Sequence, residues 1–330
     1  MNKRDLRTFV DSYGGMGYWL MQLDRHRHRA YMEAARRAYV RFPKAQGPNT
    51  VTWLDIGTGP RMPLTRMVLE NKVTEHVHAV EANSNTYRRA KALQESTPYL
   101  QNKVTLHEGY SSDINWNQCD PRPCAIIHDI LGTVSSEEGC VQILHNTMKN
   151  IENVSLHIPH EFGTYCIPVS RPKVSWLSSI CSILFGGPAS VSLEKGVQKL
   201  YNPPMDILLC KSAQLVEKFE SANIPSIKYL TKKITFIVDA THGKDWVGFY
   251  LAPYILTMPH LEDGKGIIDG LKQNTNWGVK YVTMMDDTKG IKVKPGDNIT
   301  VSFHTDFTHE CPLYRLEAWI NDTHVPAIEF

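Results

Sequence analysis

The stretch Leu54-Asp55-Ile56-Gly57-Thr58-Gly59-Pro60 decides the fold. Val51-Thr52-Trp53-Leu54-Asp55-Ile56 is a short apolar strand; Gly57 and Gly59 break it, and a helical stretch follows from Leu64. Glycines at a strand-to-helix turn let the backbone approach a ligand closely, and the amino terminus of the next helix favours polar or anionic groups. The alternation continues outward. Val77-His78-Ala79-Val80 reads as a second strand, 84–93 as a helix, Val104-Thr105-Leu106-His107 as a third strand and Ala125-Ile126-Ile127 as a fourth. Strands alternating with helices predict an α/β unit with a parallel, Rossmann-like sheet.

Upstream, residues from about 5 to 42 have apolar positions at helical spacing, and Pro43 with Gln46-Gly47-Pro48-Asn49 ends the run. Downstream of about Pro168 the pattern turns to β. Segments such as Lys233-Ile234-Thr235-Phe236-Ile237-Val238 and Asn298-Ile299-Thr300-Val301-Ser302-Phe303 are separated by Gly, Pro, Asp and Asn turns. A Ser/Leu/Ile-rich stretch over 176–206, ending at Asn202-Pro203-Pro204, interrupts them and reads as a helical insert. The expected organisation is therefore amino-terminal helices over 1–45, a Rossmann-like domain over 46–168 and a mainly β, barrel-like domain over 169–330.

Thirty-six basic against 34 acidic residues leave a formal charge of +2, without the basic excess of a nucleic-acid binder. The cluster Arg25, His26, Arg27, His28, Arg29 reads as a solvated helix face. The opening Met1-Asn2-Lys3-Arg4-Asp5-Leu6-Arg7 lacks the apolar core of a signal peptide, and no apolar run reaches the ~18 residues of a membrane span. Cytoplasmic residence without membrane attachment is expected. The 7 cysteines contain no CxxC pair, which speaks against a disulfide framework and a zinc site, so no metal is expected.

The chemistry starts from a second signal beside the glycine turn. Glu81 ends the second strand, 24 residues after Gly57, where a nucleotide-binding βαβ unit places a carboxylate for ribose hydroxyls. The plainer reading is a solvent-facing Glu. A dinucleotide fingerprint wants a third glycine to admit a pyrophosphate. Here Pro60-Arg61-Met62-Pro63 follows, bulky and rigid. S-adenosylmethionine has no phosphate, so the pattern leans to methyl transfer.

At this point the chain resembles the protein arginine methyltransferases, patchwise over most of its length. Asp11-Ser12-Tyr13, then Met21-Gln22-Leu23-Asp24-Arg25-His26-Arg27 and Tyr31, is similar to that family's lid helices. The resemblance implies that Arg27 pairs with the cofactor's methionine carboxylate and that Tyr13 helps to cover the site. It puts Asp55, Gly57 and Gly59 in the cofactor motif, Glu81 on the ribose and Ser111 near the adenine. Asp129-Ile130-Leu131-Gly132 with Glu138 nine positions after Asp129 resembles the paired-carboxylate loop E-x-x-G…E, and Thr275-Asn276-Trp277 the T-H-W loop. Two such carboxylates can grip a guanidinium and aim one nitrogen at a methyl group. The family also pairs through an arm from the β domain, so the 176–206 insert points to a homodimer.

The departures at the substrate end are Asp129 for Glu, His128 before it and Asn276 for His; at the cofactor end Arg61 stands for the third glycine and Ser112 for an acid. They favour, as first expectation, a small-molecule acceptor, amino-acid- or indole-derived, methylated on nitrogen or electron-rich carbon. In that reading His128 or Asp129 takes the proton, while Tyr13 and Asn276 orient the acceptor. The alternatives are a peptide arginine N-methyltransferase, in which Asp129 and Glu138 hold the guanidinium, and a cofactor-binding member without turnover. Glu137, Asn276 and Trp277 are further substrate-side candidates. Against these stand a packed strand-end His128, a solvated helix start at Glu137 and Glu138, and a core Trp277.

Overall fold

The structure, a computed structural model, describes residues 24–41, 51–171, 195–239, 244–261, 264–273, 275–285 and 290–330. Helix α1, Arg25–Arg41, turns Arg27, Ala30, Tyr31, Ala34, Ala35 and Ala38 into the core at helical spacing. Of the basic cluster, Arg25, His26, His28 and Arg29 face solvent, whereas Arg27 is buried. The expectation of a solvated face fails at that one residue.

The first sheet has the parallel order β3-β2-β1-β4-β5, formed by β1 Trp53–Ile56, β2 Val77–Glu81, β3 Val104–Glu108, β4 Ala125–His128 and β5 Leu156–Ile158. Helices α2 Pro63–Glu70, α3 Ser84–Ser96, the short α4 Pro98–Gln101 and α5 Cys140–Lys149 connect these strands. Strands β1, β2 and β4 are buried along their whole lengths, which is why they read as near-continuous apolar runs. Strand order reverses about β1, and a crevice opens there at the carboxyl ends of β1, β2 and β4.

Two antiparallel sheets follow. One is built on β6 Glu161–Ser170, β7 Gly196–Leu200, β8 Gln214–Glu220, β10 Lys244–Leu256 and β12 Val279–Thr283, in the order β7-β12-β10-β6-β8, with β11 Ile267–Asp269 and β13 Ile291–Val293 paired to β10. The other runs β16-β15-β14-β9, from β9 Tyr229–Ile237, β14 Asn298–Asp306, β15 Leu313–Ile320 and β16 Thr323–Glu329. The two sheets share a core containing Phe249, Tyr250, Phe303 and Leu316. Strand β6 already belongs to this part, so the sheets change at Glu161, before the boundary expected at 168. The expected helical insert also needs correcting: 172–194 lie outside the described residues, but Gly196–Leu200 is a strand hydrogen-bonded to β12. Its alternating small, β-branched and long polar residues fit a half-buried strand.

The β part does not stand apart from the first sheet. Trp277, Phe219, Ile255 and Phe307 pack into the same core as Trp53 and Leu54. Among the described residues no helix is long and apolar enough to cross a membrane.

Candidate active site

A cavity of about 390 Å³ lies over the crevice, and the turn after β1 forms its floor. Gly57 and Gly59 have φ of +74° and +72°, backbone that side chains with a Cβ adopt only with strain. A Cβ on Gly57 would come within 2.7 Å of Ile130 Cγ2. Asp55 braces this turn from behind. Its Oδ2 accepts from Thr58 Oγ1 at 2.7 Å, Thr65 Oγ1 at 2.6 Å and Thr65 N at 3.1 Å, and the residue is wholly buried away from the cavity lining. Asp55 therefore shapes the turn instead of facing a ligand, as its place in the motif had led us to expect.

Glu81 does reach the cavity, and only 4% of it is exposed. Its Oε2 accepts from Gly59 N at 3.0 Å and its Oε1 from Asn83 N at 2.9 Å. Burial raises its pKa, against the pull of those two N–H donors. Each oxygen retains acceptor capacity toward the cavity. Ser111 lines the far end, its hydroxyl 2.7 Å from Thr147 Oγ1. Together these groups suit a nucleoside: a close-approach backbone turn, an acceptor pair for vicinal hydroxyls and a small polar wall.

Asp129 and Glu138 line the same cavity, from the loop between β4 and α5. The Arg27 guanidinium stands 3.1 Å from Asp129 and is itself a cavity wall. Burial pushes the Asp129 carboxyl up to about 6; Arg27 opposes the shift, and Asp24 and Asp55 add to it. Helix α1 is anchored here. Asp24 Oδ1 accepts from Arg27 N at 3.0 Å, Asp24 Oδ2 from Asn276 N at 2.9 Å, and the Tyr31 hydroxyl donates to His128 O at 3.0 Å.

Other candidates fall elsewhere. His128, the last residue of β4, is buried outside the cavity lining and lies edge-on to Phe162. Burial, helped by His157, pushes its pKa down to about 3, and neither ring nitrogen has a hydrogen-bond partner among the described residues. It is a packed, neutral imidazole, not a base facing the cavity. Glu137 folds back over Gly132, accepts from Thr133 N at 2.6 Å and pairs with Lys280. Trp277 is 3% exposed; its indole N–H donates to Leu131 O at 2.6 Å, and Thr133 Oγ1 donates to its carbonyl at 2.6 Å. Glu137, Asn276 and Trp277 thus hold the acid loop and helix α1 instead of lining the cavity. Tyr13 lies outside the described residues.

No family model matches the chain, and no curated protein matches it by sequence. Solved structures do match by shape. Protein arginine methyltransferase 10 of Arabidopsis thaliana, crystallised in an open conformation, superposes with a TM-score of 0.70 over 95% of each chain at 17% identity. This chain has the arginine-methyltransferase fold. The Trypanosoma brucei PRMT1 enzyme–prozyme heterotetrameric complex with AdoHcy gives the same TM-score of 0.70, over 97% of this chain and 98% of that one, at 12% identity. Within this fold, Asp24, Lys280 and Glu217 hold parts of the site together, and sequence reading assigned none of them a role. Each acts through a partner remote in sequence: Asn276, Glu137 and Ser136.

Proposed function

We propose that this protein is an S-adenosylmethionine-dependent methyltransferase whose acceptor is the guanidinium of an arginine in a polypeptide. One observation carries the reading: two carboxylates on one loop, Asp129 and Glu138, share a cavity with the Gly57–Gly59 turn and Glu81. Bound there, the cofactor would supply an electrophilic methyl group on sulfur. Glu81 would hold the sugar hydroxyls, Ser111 would border the base and Arg27 would meet the amino-acid carboxylate in a planar, bidentate pairing. Asp129 and Glu138 would hold the flat guanidinium, restrict its charge and turn one nitrogen toward the methyl; alignment is the larger part of catalysis for such a displacement. AdoHcy in the T. brucei neighbour supports the cofactor, and the shared fold supports the acceptor.

Of the two bases that the small-molecule reading invoked, His128 is absent from the cavity lining and Asp129 is part of it, so that reading keeps one candidate base. Isotopic methyl transfer decides between the two. Incubated with labelled cofactor, the protein should label arginine-containing polypeptides, and Glu138→Gln should abolish the labelling. Label confined to small molecules would restore the first reading, and no calorimetric heat with S-adenosylhomocysteine would remove both. A self-associated state is part of the proposal, supported by the heterotetrameric neighbour; light scattering at the monomer mass would count against it.

A further inference from the structure

A buried carboxylate that the reaction does not use lies behind the acid loop. Glu217, on β8, is 2% exposed, and its Oε1 accepts from Thr164 Oγ1 at 2.7 Å and from Ser136 N at 3.2 Å. Its Oε2 accepts from Ser136 Oγ at 2.7 Å. The Ser136 hydroxyl has one proton, given to Glu217, so the Tyr314 hydroxyl 2.8 Å away is the donor to Ser136. Thr164 Oγ1, while donating to Glu217, accepts from Ser135 N at 2.8 Å. The Ser135 hydroxyl donates to Gly163 O, and Cys140 Sγ donates to Ser135 O at 3.3 Å. Strand β6 comes so close to β8 at Gly163 that a Cβ would lie 2.3 Å from Glu217 O, which seats the carboxylate against the loop.

From this network we infer that Glu217 is a positioning residue: it locks Ser135 and Ser136 to the β part and thereby fixes Glu138, two residues on, at the cavity wall. The inference rests on the proposed methyl transfer to a guanidinium for its catalytic consequence, but not for the network itself. All three donors around Glu217 end on its two carboxyl oxygens, so a side chain without those acceptors leaves donors unmet in the core. An apolar side chain would fill the same volume at a lower desolvation cost, yet it would leave Ser136 N–H and two hydroxyls without acceptors. The loop would then be free to shift, and a displacement of about 1 Å at an aligned pair costs on the order of 10²-fold in rate. Burial pushes the Glu217 carboxyl up, the Ser136 and Thr164 donors oppose that rise, and Glu137, itself paired with Lys280, adds to it.

The test compares the full chain with Glu217→Gln and Ser136→Ala in two measurements. Calorimetry with S-adenosylhomocysteine should give the same Kd within about two-fold in all three proteins, because neither residue lines the cavity. For an arginine peptide, Glu217→Gln should raise KM and lower kcat/KM by roughly 10-fold or more, and Ser136→Ala should move both the same way by less. Amide hydrogen exchange over 134–138 should quicken in both variants. A folded Glu217→Gln protein with kcat/KM within two-fold of the parent, or with unchanged exchange over that loop, overturns the inference. If Glu217→Gln does not fold, Ser136→Ala decides alone, since it removes one hydroxyl and no buried charge. A parent protein that labels no arginine peptide would defeat the proposed function, and the exchange comparison would still decide whether Glu217 orders the loop.

Discussion

The Arg27 guanidinium sits between the Asp129 carboxylate, 3.1 Å away, and the indole of Trp277, whose ring centre is 4.7 Å from Cζ. One side chain thus joins helix α1, the acid loop after β4 and the 275–277 loop of the β part. A charge over an aromatic face is attracted by the ring quadrupole, more so when both are out of water. The same arginine also borders the cavity, so its loss has two separable effects.

Arg27→Ala should destabilise the protein, since it removes a buried guanidinium from its pairing with the half-buried Asp129 and from the Trp277 ring. It should also weaken S-adenosylhomocysteine binding by roughly 10-fold or more, through the lost bidentate pairing. Arg27→Lys keeps the charge and loses the planar stack, so it should recover part of the stability and little of the affinity. Chemical denaturation and calorimetry on the same samples separate the two effects. An Arg27→Ala protein that binds as tightly as the parent would refute the cofactor-side role.

Asp129 sets a pH dependence. Its carboxyl is pushed up to about 6 in the folded chain by burial, above its ordinary value. The folded state therefore holds this proton more tightly than the unfolded state does. The stability it contributes is present below about pH 4 and is lost as pH rises through about 6. Acceptor capture runs the other way, because only the carboxylate attracts a guanidinium. The pH profile of kcat/KM for an arginine peptide should thus show an acid limb near pH 6 and a plateau above it. A limb near pH 4 would mean that Arg27 keeps Asp129 ionised in the working enzyme.

Sequence periodicity was enough for the parallel sheet because β1, β2 and β4 are buried on both faces and show it as apolar runs. That the glycine turn and Glu81 meet at one cavity was legible for a similar reason. Gly57, Gly59 and Glu81 act through local backbone and one strand end, and local pattern records such roles. Arg27 was legible only through family resemblance; its neighbours Arg25 and Arg29 have the same composition and lie in solvent. The substrate end was misread where partners come from far away. Glu137 and Glu138 are adjacent and alike, yet Lys280 draws one of them out of the cavity wall. His128 stands beside Asp129 in sequence, yet only Asp129 lines the cavity.

That adjacency yields a clean contrast. Glu138→Gln should remove roughly 100-fold or more of arginine methylation, since Glu138 lines the cavity. Glu137→Gln should spare most of it. It breaks a partly buried pair with Lys280 and weakens the bond from Thr133 N, so it should lower Tm, and the folded fraction should retain most of its activity. The two variants, assayed for Tm and initial rate, exchange phenotypes if the acids have been assigned in the wrong order.

Gly57→Ala tests the floor of the site. At φ of +74° an alanine carries strain of about 1–2 kcal/mol from the left-handed backbone alone. Its Cβ would also meet Ile130 Cγ2 at 2.7 Å, and Ile130 follows Asp129 directly, so relief of the clash moves the acid loop. Gly296 supplies the control, since it has φ of +92°, no atom within 4 Å of an added Cβ and a place outside the cavity lining. Gly296→Ala should therefore show the strain without the loss of binding. Gly57→Ala should show both, with S-adenosylhomocysteine affinity reduced by roughly 10-fold or more, because the turn can no longer offer its backbone at close range. If the two alanines lowered Tm equally and left calorimetric affinity equally intact, the Gly57 turn would be a fold element only, and the ligand would have to be sought at another wall of the cavity.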